Sequence, residues 1–426
     1  MVYKMTGSAV LDGRVRGGKW TRRLLALLYV FILVENPLTR VFPFLSYFDE
    51  VFFIVVAFGA LLKCRKGVSR DWLRLSVIVS TLCLVMGSIG LAGWVASGLQ
   101  ESIVAAFKDM IAFAKFPIGL TALVLLLDNV DEIVLKDCAK ISRVFILLSL
   151  FCAIINLIYP VDFFSHDLRH GVQSFTFFYS HPTYLVFSIV LCFSLISREH
   201  ERLGLYELAC FAILILTMRD KAFGFIALAV FFSIVGIEKR NNLLLYLTVA
   251  AVGAMVVAWP KISLYISYPN SPREAMYSAA LDLSIKFFPL GAGFASIASS
   301  VSGEYYSQAY FDYGIDKIPD MTPDNFSAMG DAGYAYYLGV FGLIGLLLFF
   351  VVLYLLYRYL VSEQPLGSRG RYSILILFGY ILLALTVETT LTNPSGMELA
   401  FVLALLGCCV PGSPGNVDRK DGIEFV

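Results

Sequence analysis

The feature that most constrains this chain is a succession of long, continuously apolar runs. A helix needs about 20 such residues to cross the hydrocarbon of a bilayer. Twelve runs approach that length, near residues 24–42, 46–63, 75–97, 109–127, 144–160, 182–197, 203–217, 222–237, 242–259, 333–357, 372–389 and 397–411. Several are short, as helices in tilted or closely packed bundles are. Strands of a membrane barrel would alternate apolar and polar residues, and these runs do not. Composition agrees. Hydrophobic residues make up 58% of the 426 and charged residues 15%, against roughly 45–50% and about 25% in soluble domains. Such a chain lacks the polar surface to cover its own interior in water. A soluble cytosolic enzyme, a disordered chain and a nucleic-acid binder are excluded. The expected fold class is all-α: a polytopic membrane helix bundle of about 12 transmembrane helices. Residues 1–411 form a single integral membrane domain and 412–426 a cytoplasmic tail.

Charge placement sets the expected orientation. The net charge of +1 implies no bulk electrostatic partner, but basic residues flank the inner ends of membrane spans. With the N-terminus inside, 23 of the 33 Lys and Arg fall on inner segments. These include Arg14, Arg16, Lys19, Arg22 and Arg23 before the first span, where no small-residue cleavage site follows. Both termini are therefore expected in the cytoplasm. Trp94 and Trp259 fall at expected outer ends. All eight cysteines lie in spans or on the inner side, so no disulfide framework is expected. Cys408 and Cys409 read as apolar packing.

Outward cations run against this bias, and they cluster. The loop 161–181 holds Arg169 and three of the four histidines of the chain, His166, His170 and His181. The histidine spacings lack a firm metal-ligand partner set, so no metal is expected. Arg169, two residues before Gly171, suits an anion contact, a planar donor where the backbone permits close approach. Next comes Thr217-Met218-Arg219-Asp220-Lys221, a hairpin with almost no loop. Its two readings are an internal Arg219–Asp220 pair and a phosphate or pyrophosphate clamp. Lys115, inside a span, is expected to snorkel toward the same site or to the headgroups.

The segment 260–332 is the only large expected outer piece. It carries four basic and eight acidic residues and seven tyrosines, Tyr265, Tyr268, Tyr277, Tyr305, Tyr306, Tyr310 and Tyr313. Acceptors with stacking faces suit a neutral, polar polymer such as a glycan. Ser271-Pro272-Arg273-Glu274 is a helix start with a capping box and Pro in the first turn. Met276, Ala279, Ala280, Leu283 and Phe287 then recur at helical spacing, which predicts an amphipathic helix on the outer face of the membrane. Arg273 in its first turn opposes the helix dipole, so an anionic ligand explains it better. The helix ends at the turn signal Pro289-Leu290-Gly291-Ala292-Gly293. Asp324 and Asp331 precede the span containing Gly342-Leu343-Ile344-Gly345. Asp331, one residue from that span, reads either as a helix N-cap or as an acid/base group.

In order and topology this constellation resembles the O-antigen ligase/polymerase superfamily. The likeness covers about residues 165–357: an outward Arg, an Arg/Lys hairpin, an Arg at a helix start, Pro-Leu-Gly-Ala-Gly at 289–293, then Asp331-Ala332-Gly333-Tyr334 before Gly342. The resemblance implies an inverting, metal-independent glycosyltransferase with a GT-C-like fold, needing no cofactor. It implies an undecaprenyl-diphosphate-linked oligosaccharide donor at the outer face of the bacterial plasma membrane. By the same token Arg169, Arg219 and Lys221 would grip the pyrophosphate, with Arg273 and Asp331 catalytic. His170, His181, Asp324 and Tyr334 would be candidate acceptor or sugar contacts. Ligases of that superfamily carry a His eleven residues before the first Gly of a Gly-Leu-Ile-Gly-like run. Counting back from Gly342, that position is Asp331, as often in polymerases. The implied function is polymerisation of repeat units into O-antigen, capsule or exopolysaccharide. The lipid bilayer, and a chain-length regulator, are the implied partners. The alternatives are a ligase-type transferase and a lipid-linked oligosaccharide flippase.

Overall fold

The computed structural model describes residues 19–65, 67–128, 130, 132–159, 161–169, 171–199, 204–235 and 271–408. It is 75% helical. The long helices before the large loop are α1 (Lys19–Val41), α2 (Phe48–Cys64), α3 (Arg70–Ser97), α4 (Ile103–Leu127), α5 (Glu132–Ile158), α6 (Pro182–Ile196), α7 (Leu205–Leu216) and α8 (Asp220–Val235). Then follow α9 (Pro272–Lys286), the single-turn helices α10 (Ser300–Glu304) and α11 (Gln308–Asp312), and α12 (Gly333–Ser362), α13 (Arg369–Ala384) and α14 (Pro394–Cys408). Eleven of the twelve expected spans coincide with a helix. The twelfth, 242–259, lies outside the described residues, as do Tyr265, Tyr268 and Trp259. Among the described residues six helical stretches are long and apolar enough to cross a membrane, and the chain is an all-α membrane bundle. The stretches are α1, Pro43–Cys64 (α2 with the short 3-10 turn before it), α3, α4, α5 and α12. The helices α6, α7, α8, α13 and α14 run only 12 to 16 residues, about 24 Å at most at 1.5 Å per residue. No disulfide joins the seven described cysteines to one another.

The helix α4 is the centre of the bundle. Two thirds of its most apolar stretch is buried (67%), against 17–44% for the other long helices. It packs against α2, α3 and α14, while the opposite faces of α2, α3 and α5 leave Val55, Phe58, Leu84 and Leu147 exposed. Exposed aliphatic rows of this kind suit lipid.

The Pro-Leu-Gly-Ala-Gly motif does more than end a helix. Helix α12 is broken at Gly342, whose backbone (φ +66°, ψ −173°) leaves the helical region. The break frees the carbonyls of Gly339 and Val340. They accept from the N–H groups of Ala292 (2.8 Å) and Gly293 (3.0 Å). On its other side the segment meets α3: the Phe294 N–H reaches the Gly90 carbonyl (3.3 Å), and the Ser97 hydroxyl donates to Ala292 O (2.7 Å). Asp109 of α4 accepts from the Ala295 N–H at 2.7 Å. Non-helical backbone among membrane helices is tolerated where protein satisfies its polar groups, and here it does. Residues 291–298 are buried, so this part of the expected outer segment lies between α3, α4 and α12.

Helix α9 forms as expected, with the Ser271 hydroxyl accepting from the Glu274 N–H at 3.4 Å. Its apolar residues Met276, Ala279, Ala280 and Leu283 are buried, and the helix packs along α12. That corrects the expectation that this face rests on the membrane. The loop 161–181 is also corrected, because β1 (Ser165–Arg169) and β2 (Val172–Phe175) pair as an antiparallel hairpin, with Arg169 opposite Val172.

The tightest contact in this core is Gly293. Its φ is +84°, and a Cβ there would lie 1.9 Å from the Trp94 nitrogen. Gly293→Ala is therefore expected to lower stability by at least about 1–3 kcal/mol from backbone strain alone, with the clash added. The thermal transition of the detergent-purified protein, followed by size-exclusion chromatography after heating, should fall well below that of the parent. An unchanged transition would contradict the insertion.

Candidate functional site

Arg169, Arg219, Lys221, Arg273 and Asp331 gather at one end of the bundle, where α6, α8, α12 and α14 begin. Five elements deliver them and their partners. The β1–β2 hairpin carries Asp167 and Arg169. The tight α7–α8 corner, where Met218 takes φ +52°, carries Arg219 and Lys221. The first turn of α9 carries Arg273. Asp331 precedes α12, and Glu388 lies on the connector between α13 and α14. That connector is tied to the start of α12: the Tyr334 N–H donates to Leu385 O (3.1 Å), and the Thr389 N–H to Gly330 O (2.8 Å). The ties hold Glu388 and Asp331 side by side.

Three carboxylates thread through the cations. Asp167 takes Arg169 Nε at 2.6 Å and Arg219 Nη2 at 2.7 Å, with the Ser174 hydroxyl at 2.5 Å. Glu388 takes Lys221 Nζ at 2.8 Å on both oxygens, plus the Thr390 hydroxyl at 2.8 Å. Asp331 takes Arg273 Nη2 at 3.2 Å, and its backbone carbonyl takes Arg273 Nε at 3.3 Å. The three pairs form one electrostatic cluster. Arg219 feels the charges of Arg169, Asp167 and Arg273, and Asp331 feels those of Arg273, Glu388 and Lys221. Counting full charges, four cations meet three carboxylates. Arg219 is 7% exposed, and its buried Nε has no hydrogen-bond partner among the described residues. A guanidinium holding one bond and an idle Nε–H has donors left for an anion.

The same surroundings tune the titrating groups. Burial raises the Asp331 carboxyl above its ordinary value, outweighing the opposite pull of Arg273. Burial also raises Asp167, but the Ser174 hydroxyl and the two guanidiniums win and hold it well below the usual carboxylate range. Burial lowers the Arg219 guanidinium, with Arg169 adding to the effect. His181 caps α6 through Nδ1, which accepts from the Thr183 N–H at 3.2 Å, and its ring meets that of His166 edge-on at 4.9 Å. Burial, then Arg219, His166 and Lys221, push His181 down to about 3.

Several expectations need correcting. Arg219 pairs with Asp167, across 52 residues of sequence, and not with the neighbouring Asp220. Asp331 is not the N-cap of α12; that position is Ala332, with no side-chain cap bond. Tyr334 spends its hydroxyl on Leu382 O at 2.8 Å, between α12 and α13. Asp324 sits on an exposed turn and takes no part in these contacts among the described residues. His170 lies outside the described residues. The described tyrosines of the 260–332 segment serve the fold: Tyr310 is buried against Ser302 (2.6 Å), and Tyr306, Tyr277 and Tyr313 bond Met321 O, Thr386 O and Asp282. Tyr305 flanks Lys108, 5.9 Å from its ring centre. Lys115 does not snorkel. It is 3% exposed and pairs with Asp49 and Glu50.

The cluster carboxylates Asp167 and Glu388 carry no signal under the charge rule, to which acids contribute little. Asp167 stands among histidines in the loop 161–181, and Glu388 is an acid inside the expected span 372–389. Among the described residues, no group of His, Cys, Asp and Glu has metal-holding geometry. No family model matches the chain, and no curated protein matches it.

The lowered His181 makes a pH prediction. In the folded state it resists protonation down to about 3, whereas an unfolded His takes a proton near pH 6.5. Its contribution to stability is complete above about pH 6.5 and is lost as the pH falls toward 3. His181→Asn keeps a capping acceptor and removes the titration. Its stability, measured by thermal unfolding across the acid range, should fall less steeply than that of the parent. Parallel acid limbs would contradict the assignment.

Proposed function

We propose that the protein is a membrane glycosyltransferase that polymerises undecaprenyl-diphosphate-linked repeat units at the outer face of a bacterial plasma membrane. The observation that carries this reading is the convergence of Arg169, Arg219, Lys221 and Arg273 beside Asp331, with donors of Arg219 left over. A sugar linked to diphosphate is already activated. The enzyme has to steady the charge growing on the leaving diphosphate, and cations already fixed in place do this well. In the resting state Asp167 and Glu388 hold the cations in place, and an incoming diphosphate takes up their remaining donors. Asp331, with its raised carboxyl, accepts the proton of the acceptor hydroxyl, a role favoured when the base titrates nearer neutral pH. Arg273 holds that carboxylate in position and contributes charge. No cofactor or metal enters the scheme.

The second reading, a lipid-linked oligosaccharide flippase, draws on the break of α12 at Gly342, since carriers build binding sites at discontinuous helices. A ligase-type transferase would use the same chemistry on another acceptor. The lipid-linked saccharides of a strain lacking this protein separate the three. Accumulated single repeats on the outer leaflet support the polymerase. A complete ladder left unattached means a ligase, and repeats held on the cytosolic leaflet mean a flippase.

On the polymerase reading Arg273→Ala stops chain extension while the protein still reaches the membrane. Asp331→Asn slows extension about 10²–10⁴-fold, the range for loss of a general base, measured as polymer formed from purified lipid-linked repeats. Near-normal rates in either variant would remove that residue from the site. Chelator is expected to leave the rate unchanged, and a lost rate would call for a metal.

A further inference from the structure

A second set of ionisable groups is buried deeper in the bundle, apart from the cluster above. Glu35 of α1 and Glu398 of α14 are 7% and 8% exposed, and Asp49 of α2 and Lys115 of α4 are 2% and 3% exposed. The carboxyl groups of Glu35 and Glu398 are neighbours within hydrogen-bonding reach of each other. Asp49 and Glu50 approach each other in the same way while both bind Lys115 Nζ, Glu50 at 3.1 Å. Yet Asp49 Oδ1 and Glu50 Oε2 are buried atoms with no donor among the described residues, although the Glu50 side chain as a whole is 38% exposed. Two carboxylates in contact repel, so a proton shared between their oxygens relieves the pair. Among the described residues no group of three or more His, Cys, Asp and Glu is placed to hold a metal ion. Ionisable groups at this depth in a membrane protein mark proton paths.

We propose that Glu35, Glu398, Asp49 and Glu50, around Lys115, form a buried proton-binding site in which each carboxyl pair holds one shared proton and the Glu35–Glu398 pair accepts a second. With one proton the Glu35–Glu398 pair carries one negative charge; with two it is neutral. Asp49 and Glu50, sharing one proton, balance Lys115. Tyr184, in the first turn of α6, lies within electrostatic range of Glu388 and Asp331 as well as of Glu35 and Glu398, which puts the two sets of charges near one residue. Tyr179, the other ionisable neighbour of Glu398, has its hydroxyl bonded to Leu33 O and to Ser188 Oγ. The proton-binding site stands independently of the polymerase. Its use as a store for the proton released by the acceptor hydroxyl rests on that reading.

Infrared difference spectroscopy of the full-length protein in detergent tests the site without substrate. Exposed Asp and Glu ionise near pH 4. A protonated-carboxyl C=O band that persists at neutral pH and shifts in D2O therefore reports buried acid. The parent is expected to show it. Glu35→Gln and Glu398→Gln should each reduce it, and the combination with Asp49→Asn should remove it. Each amide keeps volume and hydrogen-bonding, and a single symmetrical peak on size exclusion confirms folding. If a variant fails to fold, the parent's titration remains decisive, because absence of the band at neutral pH overturns the proposal. So does a band of full strength in the triple variant, or one that Na⁺ or K⁺ abolishes. The readout uses no glycan, so failure of polymerisation leaves this result untouched, and the reverse holds.

Discussion

The architecture depends on one close approach of backbones. Gly291 to Gly293 enters where α12 is interrupted at Gly342, and its N–H groups satisfy the carbonyls that the interruption leaves open. Both sides need each other. Without the insertion, two carbonyls of α12 would be stranded in an apolar interior, at a cost of a few kcal/mol each. Without the interruption, the inserted chain would have no partner for its amides. The same contact fixes the upper half of α12 against α9, and so brings Arg273 to Asp331.

Around that frame the charges compensate in an unusual proportion. Two guanidiniums share the Asp167 carboxylate, and one ammonium takes both oxygens of Glu388. Pairing of this kind keeps buried cations from unfolding the site, but among the described residues the cations of the cluster outnumber its carboxylates by one and the Arg219 Nε has no acceptor. A cluster that is nearly neutral and slightly short of anion is well suited to take one up. The deeper acids differ in kind, being carboxyl groups in contact with carboxyl groups, short of protons and not of anions.

How much of this the sequence disclosed follows from which signals are local. The apolar runs announced most helices, because burial in lipid demands them residue by residue. The capping residues at Ser271 and Pro272 announced α9. The four cations were legible because each broke a statistical rule on its own. Their partners were not, since Asp167 lies 52 residues from Arg219 and Glu388 lies 167 residues from Lys221. Gly291 and Gly293 marked a turn, but nothing local says that a turn will enter a gap in a helix about 50 residues later. Lys115 was visible as an oddity; only packing brought Asp49 and Glu50 to it.

The central claim is that the separated cations make one anion site. Binding of undecaprenyl diphosphate to the detergent-purified protein tests this most directly, comparing the parent with Arg169→Ala, Arg219→Ala and Arg273→Ala. Charged hydrogen bonds are worth about 1.5–3 kcal/mol each, so each substitution should weaken binding about tenfold to a hundredfold. Saturable binding with comparable losses from all three is the predicted result. No binding by the parent, or losses confined to one arginine, would contradict it.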